Sequence, residues 1–530
     1  MYRQLKDFFS NYTRNYYYLL IFLAVSLPLS VFTTSFAEIL LLLNWILEGR
    51  FSEKISLLKK RKAPLIISFL YIIHLFGLLN TVDFQFGIHD LKIKLPVLLL
   101  PLIIGSSSLL DEKKIRNILL FFAASVISAS ICSTSVFLGF INYPIYDFRD
   151  ISLFISHIRF SLMVNLAIFS LFYYGFGEDP VPLKNRNFKL VLVFSAIWLC
   201  AFLLVLKSLT GIFIFLVVGL IMGWKYSGKI GLIAPRFFIR VIIITIPLII
   251  ASYITHTISR YYYRENISIT ALDSLTIDKN PYNNYNQLTW VENGNYVWIY
   301  VCEEELRPEW NSKSNLNYDG KDKMGQDLRF TLIRYLTSKG LRKDRSGIKE
   351  LTKTDITAIE NGVANYIFLD KFSLYPRLYQ IIWEVDAYKK GNNPSGHSFT
   401  QRLAYFDASM FLIRNNFLFG VGTGDVQKEF NTYYSMSDNP LKKENQRRAH
   451  NQYLTFLLTF GIIGFIGSII ALILPVFIEK RWNDYLFVCF FIIGLLSMLN
   501  EDTLETQTGV SFFMFFYCLL LFARREKDKN

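Results

Sequence analysis

The segment Gln446-Arg447-Arg448-Ala449-His450-Asn451-Gln452-Tyr453-Leu454 runs directly into an apolar stretch that contains Gly461-Ile462-Ile463-Gly464. Two arginines, a histidine and an amide thus stand where polar sequence meets a candidate membrane helix. That is the depth at which anionic lipid headgroups lie. Arginine presents a planar fork that suits bidentate contact with phosphate, better than the point charge of lysine. A cation cluster there can grip the diphosphate of a lipid-linked substrate, and a histidine beside it can orient or deprotonate a hydroxyl. The positive end of a helix dipole disfavours a charged histidine at a helix start, which suits that task. The plain alternative is a histidine held for structure alone.

Other groups join these only through the topology. The chain has 530 residues, of which 52% are hydrophobic, and the apolar residues fall in blocks rather than being dispersed. Blocks of about 20 apolar residues read as spanning helices, and about twelve are expected, over roughly 16–32, 34–48, 64–80, 95–110, 116–140, 159–177, 188–206, 208–224, 237–257, 451–477, 484–499 and 508–523. Lys and Arg set the orientation. One side holds Arg50, Lys54, Lys59 to Lys62, Lys113, Lys114, Arg116, Lys184, Arg186, Lys189, Lys225, Lys229, Arg236, Lys480, Arg481 and the tail cations Arg524, Arg525, Lys527 and Lys529. The short loops opposite offer only Lys92, Lys94, Arg149, Arg159 and Lys207. Both termini are therefore expected in the cytoplasm. The expected division is 1–257 with the first nine spans, 258–450 as one large outer loop domain, mostly helical, and 451–530 with the last three spans and a cytoplasmic tail. The net charge of +14 sits largely on membrane-flanking loops, so it does not argue for nucleic acid.

On this topology Arg159, Lys207, Arg402, Arg448, His450 and Glu501 fall at or near one membrane face. A charged group at a span end is ordinarily an interface anchor or a snorkelling side chain. Such anchors belong mainly on the cytoplasmic side, which weakens that reading for the whole set. Within the outer loop, helices are expected over Gln326–Ser338, over Asp355–Glu360 with Thr354 or Asp355 as cap, and over Thr400–Arg414. Four of the five cysteines fall in spans and only Cys302 lies outside, and no Cys/His spacing suggests a metal site.

Two motifs mislead. Asn393-Pro394-Ser395-Gly396-His397 contains the Pro-Ser-Gly-His string of membrane lipid phosphatases. The accompanying Lys-x6-Arg-Pro element fails, since Tyr300 stands where its lysine should be before Arg307-Pro308, and the downstream Ser-Arg-x5-His element is missing. The string reads as a turn. Gly420-Val421-Gly422-Thr423-Gly424 mimics a nucleotide loop but follows a helical segment rather than a strand, so it too reads as a backbone turn.

The arrangement Arg402, then Asn415-Asn416-Phe417-Leu418-Phe419-Gly420-Val421-Gly422, then Arg448-Ala449-His450-Asn451-Gln452-Tyr453-Leu454 and Gly461-Ile462-Ile463-Gly464 resembles the superfamily of O-antigen ligases, Wzy-type polymerases and bacterial protein O-oligosaccharyltransferases. The resemblance implies an all-α polytopic GT-C-type bundle in the bacterial inner membrane, with one large periplasmic loop. It implies inverting glycosyl transfer, without cofactor or metal, from an undecaprenyl diphosphate-linked glycan. The acceptor would be lipid A-core for a ligase, or another glycan or a protein. Arg402 and His450 take the family's catalytic positions. Arg159, Lys207, Arg448, Asn451 and Glu501 are the remaining candidates for diphosphate or acceptor contact. The family's second arginine, in a Ser-Arg pair opening the eighth span, is replaced here by Lys207-Ser208, which leaves Arg159 or Lys207 for that role. A transporter or flippase is the competing class. It is disfavoured because there are no paired inverted halves and no acidic residue mid-span.

Overall fold

A computed structural model describes residues 11–144, 148–177, 183, 185–229, 231–268, 272–284, 290–370, 373–436 and 441–524. Lys184, Arg525, Lys527 and Lys529 of the expected cytoplasmic cations lie outside the described residues. The chain is mostly α-helical, with a single two-stranded antiparallel ribbon, Val291–Glu292 with Asn295–Tyr296, among the described residues. It forms two compact units, residues 1–239 with 393–530, and residues 240–392. Residues 393–450 therefore pack with the apolar helices of the first unit.

Seven helices among the described residues are long and apolar enough to cross a membrane: Ala63–Asn80, Glu112–Phe137, His157–Phe176, Arg186–Val205, Leu209–Ser227, Ile233–Tyr262 and Gln452–Ile478. An eighth span is available if Val31–Leu47 and Phe51–Arg61, bent by 111°, count as one. The other expected spans form shorter apolar helices, among them Tyr12–Ser26, Leu95–Ser106, Tyr485–Ser497 and Gln507–Leu521. Turns, 3-10 segments and capping residues shorten each of them, and the hydropathy of the sequence does not show where a helix stops. The first unit's core is built where these helices cross. Gln507–Leu521 is buried on nearly every side, with Phe512, Phe513, Phe515 and Phe516 packed against Phe122 and Phe490.

The second unit has its own core, centred on Trp310, Leu328, Leu332, Ile333, Leu336, Ile348 and Ile359. Its helix Leu328–Ser338 starts two residues later than the apolar stripe predicts. The helix Lys353–Glu360 is capped by Thr352 rather than by Thr354 or Asp355. Asp355 instead completes a capping box from the third helical position, satisfying the Thr352 N–H while Thr352 satisfies its own.

One irregularity positions the functional face of the first unit. The helix Gln452–Ile478 is broken at Gly461, whose φ of 62° and ψ of −171° are not helical. An unbroken helix would send the Ile462 N–H to Leu458; here it goes to Phe417 O at 2.8 Å. The carbonyls freed by the break, Leu458 O and Thr459 O, accept from Val421 and Gly422, each at 2.9 Å. Residues 417–422 thus lie edge-on in the gap, and both partners need glycine. A Cβ at Gly461 would stand 2.3 Å from the Leu418 backbone, and one at Gly420 would stand 2.3 Å from Thr459 O. The Gly-x-Gly turn is therefore the insert that fills the helix break.

Candidate active site

Asp425 follows the Gly-rich turn, and its buried carboxylate accepts from the Val82 and Asp83 N–H groups at 2.6 and 3.0 Å. This fixes the start of the helix Phe84–Ile93. The segment before His450 is held by two tyrosines: Tyr405 donates to Asn445 O at 2.7 Å and Tyr434 to Arg447 O at 2.9 Å. His450 itself is left-handed, with φ 49°, and its N–H donates to Asp502 Oδ2 at 3.1 Å. Asn451 next to it is the N-cap, accepting from Tyr453 and Leu454 at 3.0 and 3.1 Å while its amide N–H donates to Leu499 O. His450 thus lies one residue ahead of the cap, turned out of the helix.

The loop between Tyr485–Ser497 and Gln507–Leu521 supplies three acidic residues, and all three are nearly buried. Gln452 pins this loop: its N–H donates to Met498 O, its amide oxygen accepts from Leu504, and its amide N–H donates to Glu505. Glu501 then meets two groups that stand far away in sequence. Arg402 donates to Glu501 Oε1 at 2.9 Å, and His450 Nδ1 lies 3.9 Å from Glu501 Oε2. Burial pushes the Glu501 carboxyl up, but His450, Arg402 and Arg159 more than offset it and hold the group below the usual carboxylate range. Asp502 accepts from Thr455 Oγ1 at 2.7 Å as well as from His450, and burial with Glu505 nearby raises it. The His450 ring stands over Tyr405, with ring centroids 5.5 Å apart.

A second cluster adjoins the first. Arg448 lies 3.6 Å from Glu505 and its guanidinium sits 4.9 Å from the Phe86 ring centroid. Glu505 is also paired with Lys94 at 2.7 Å, and Lys94, only 1% exposed, holds Asp90 at 2.6 Å. Burial pushes Glu505 up, yet Lys94 and Arg448 outweigh it and keep the carboxyl low. Arg159 donates to Ser156 Oγ at 3.0 Å, while its Nε is buried without a hydrogen-bond partner among the described residues. Lys207 sits in the left-handed junction ahead of the helix Leu209–Ser227. Its neighbour Ser208 caps that helix and donates to Ser161 Oγ at 3.1 Å, two residues past Arg159.

The structure thus brings Arg402, His450 and Glu501 together, sets Arg448 beside them on Glu505, and places Arg159 within electrostatic reach of Glu501. Asn451 is occupied as a helix cap. Lys207 is at the same helix ends as Arg159. Lys94, Asp90 and Gln452 were not anticipated from the sequence. The only signal for Lys94 is a lone lysine between Ile93 and Leu95-Pro96, which reads as an ordinary loop cation. Pro394 and His397 form a turn in which His397 N–H donates to Pro394 O. No group of three or more His, Cys, Asp or Glu able to hold a metal occurs among the described residues.

An apolar groove of about 870 Å³ runs beside the helix break, walled by Phe69, Ile73, Phe76, Phe417, Phe460 and Ile463, with Arg414 and Asn415 at its rim. Residues 363–469 match the family model described as O-Antigen ligase. No curated protein matches the chain. The matched segment contains Arg402, the Gly-rich turn, Arg448, His450 and the helix break. With the apolar helices, it places the chain with O-antigen ligase-like membrane proteins.

Proposed function

We propose that this O-antigen ligase-like protein is a glycosyltransferase that moves a glycan from undecaprenyl diphosphate to a hydroxyl of lipid A-core. The observation that carries the reading is the convergence of Arg402 and His450 on buried Glu501 inside the segment that matches the family. The protein lies in the bacterial inner membrane with both termini cytoplasmic and the site on the periplasmic face.

The acceptor oxygen attacks the anomeric carbon and the bond from that carbon to the diphosphate oxygen breaks. The electron pair leaves with the lipid diphosphate, and the configuration inverts. The acceptor proton passes to His450. With its Nδ1 side toward Glu501, the ring presents Nε2 to the acceptor, and Glu501 steadies the charge the ring gains. Charge growing on the leaving diphosphate is met by the arginines. Arg402 uses one of its N–H groups on Glu501 and keeps others for phosphate, and the unpartnered Nε of Arg159 is a second donor waiting for an anion. Preorganised cations in a water-poor site are the main catalytic device for a substrate that already carries a good leaving group. Arg448 and Lys207 add positive charge around it. Asn451 acts on this site through the helix start that it caps. The apolar groove suits the polyprenyl chain. No step calls for a metal.

Deleting the gene and separating surface glycans and lipid-linked glycans on gels tests the assignment. Lipid-linked chains accumulate and polymer-bearing lipopolysaccharide disappears if the protein is a ligase. Single capped units point to a polymerase instead, and intact lipopolysaccharide with unglycosylated proteins points to a protein O-oligosaccharyltransferase. Unchanged glycans in every fraction would end the proposal.

A further inference from the structure

A recess of about 400 Å³ lies between Asp83 and Phe86 on one side and the helix Val426–Met436 on the other. We propose that it is a saccharide subsite, seating a pyranose ring of the glycan beside the reacting centre. This deepens the proposed function and rests on it only for the identity of the saccharide.

The helix is amphipathic by design of its sequence. Val426, Phe430 and Tyr434 recur every four residues and are buried against Tyr405, Leu412 and Leu458. The opposite stripe, Gln427, Lys428, Asn431, Thr432 and Ser435, lines the recess. It is built of amides, hydroxyls and one ammonium. Such a stripe is ordinarily a solvated face, but here it forms one wall of a cavity. The far wall carries an aromatic ring. That combination matches a sugar, whose rings carry an apolar C–H face and a rim of hydroxyls that both donate and accept. The volume lies within the range of small-molecule pockets, roughly 300–1,000 Å³.

The polar wall has hydrogen-bonding capacity to offer. Gln427 Nε2 donates to Asn431 Oδ1 at 3.0 Å, which leaves the Gln427 oxygen and the Asn431 amide N–H groups for a ligand. Thr432 and Ser435 donate to backbone carbonyls of their own helix at 3.0 and 2.7 Å, so their oxygens face outward as acceptors. Asp83 already accepts from Phe86 N–H at 2.9 Å. It is the one carboxylate in the recess and stands against Lys428, so the walls favour neither a metal nor a bare anion.

Position ties the recess to the chemistry. Phe86 lines it and also carries Arg448 over its ring, and Arg448 is paired with Glu505 in the loop that holds Glu501. Gly424 lines it too, next to the Asp425 carboxylate that anchors the start of the Phe86 helix. A sugar in the recess is therefore one ring away from the proposed diphosphate clamp.

The test uses the full-length protein in lipid nanodiscs. The probe is oligosaccharide released by mild acid from the surface glycan of the source cell, followed by calorimetry and saturation-transfer NMR. Gln427→Leu with Asn431→Leu removes the amides at surface positions, and Ser435→Trp fills the recess from another exposed position. Both should weaken saccharide binding about tenfold, the scale of one or two lost hydrogen bonds. Both should raise KM for the glycan donor by a similar factor while kcat stays near that of the unaltered protein. Binding and KM unchanged in both folded variants would overturn the subsite even if transfer proceeds normally. If the unaltered protein transfers no glycan yet loses saccharide binding in both variants, the subsite stands and the proposed reaction falls.

Discussion

Replacing His450 by alanine lowers glycan transfer by about 10²-fold or more, the scale for removal of a positioned general base. The fold should tolerate the change. The hydrogen bond to Asp502 uses the backbone N–H, the left-handed turn stays anchored by Asp502 and by the Asn451 cap, and the lost ring contact is a single edge of Tyr405. Binding of the lipid-linked donor, measured on the purified variant, should remain near normal, because the diphosphate contacts come from arginines. His397→Ala is the internal control. It changes the other histidine that sequence motifs single out, and transfer should be unaffected, since His397 belongs to the turn ahead of the helix Ser398–Asn415. The opposite pattern, with His397 essential and His450 dispensable, would return the phosphatase-like motif to consideration and remove the centre of the proposed mechanism.

Arg402→Ala should cost about 10²–10³-fold in kcat, the loss seen when one preorganised donor to a developing oxyanion is removed. Arg402→Lys should recover only part of this, because a point charge replaces the planar fork. A second origin of the loss must be separated: the alanine also leaves the buried Glu501 carboxylate short of its 2.9 Å partner, and breaking one side of a buried pair is costly in itself. The double variant Arg402→Ala, Glu501→Gln removes the stranded charge. If the arginine serves the diphosphate, the double variant stays inactive. Recovery of turnover in the double variant at normal protein levels would make Arg402 a structural counter-ion.

The residues of this site were legible in the sequence to the extent that they share a short segment or a helix end. Arg448, His450 and Asn451 are consecutive with the break-containing helix, and Arg402 precedes the Gly-rich turn. Glu501 was one of two open readings, a partner for His450 or an arginine, or a hydrated loop end. Its burial against Arg402 and His450 comes from Gln452, which pins the acidic loop, and no local pattern announces a contact across fifty residues. The same holds for Lys94 and Glu505, which meet across most of the chain. A lysine flanked by apolar residues carries no mark of a buried ion pair until its partners are placed. The glycines at 420 and 461 were visible as helix breakers, but that each exists to admit the other follows only from the backbone hydrogen bonds between them. Helix lengths were the least legible feature of the fold. Hydropathy reports which stretches are apolar, whereas caps such as Ser30, Asp111 and Asp484 decide where the helices begin.

The most direct measurement is transfer by the purified protein in proteoliposomes, with a defined undecaprenyl diphosphate-linked saccharide, lipid A-core and a metal chelator. Released lipid diphosphate should match the glycosylated acceptor mole for mole, and NMR of the product should show the anomeric configuration inverted relative to the donor, at a rate the chelator leaves unchanged. Retained configuration, or activity that vanishes in chelator and returns with Mg²⁺ or Mn²⁺, would contradict a single displacement driven by His450 and the arginines around Glu501.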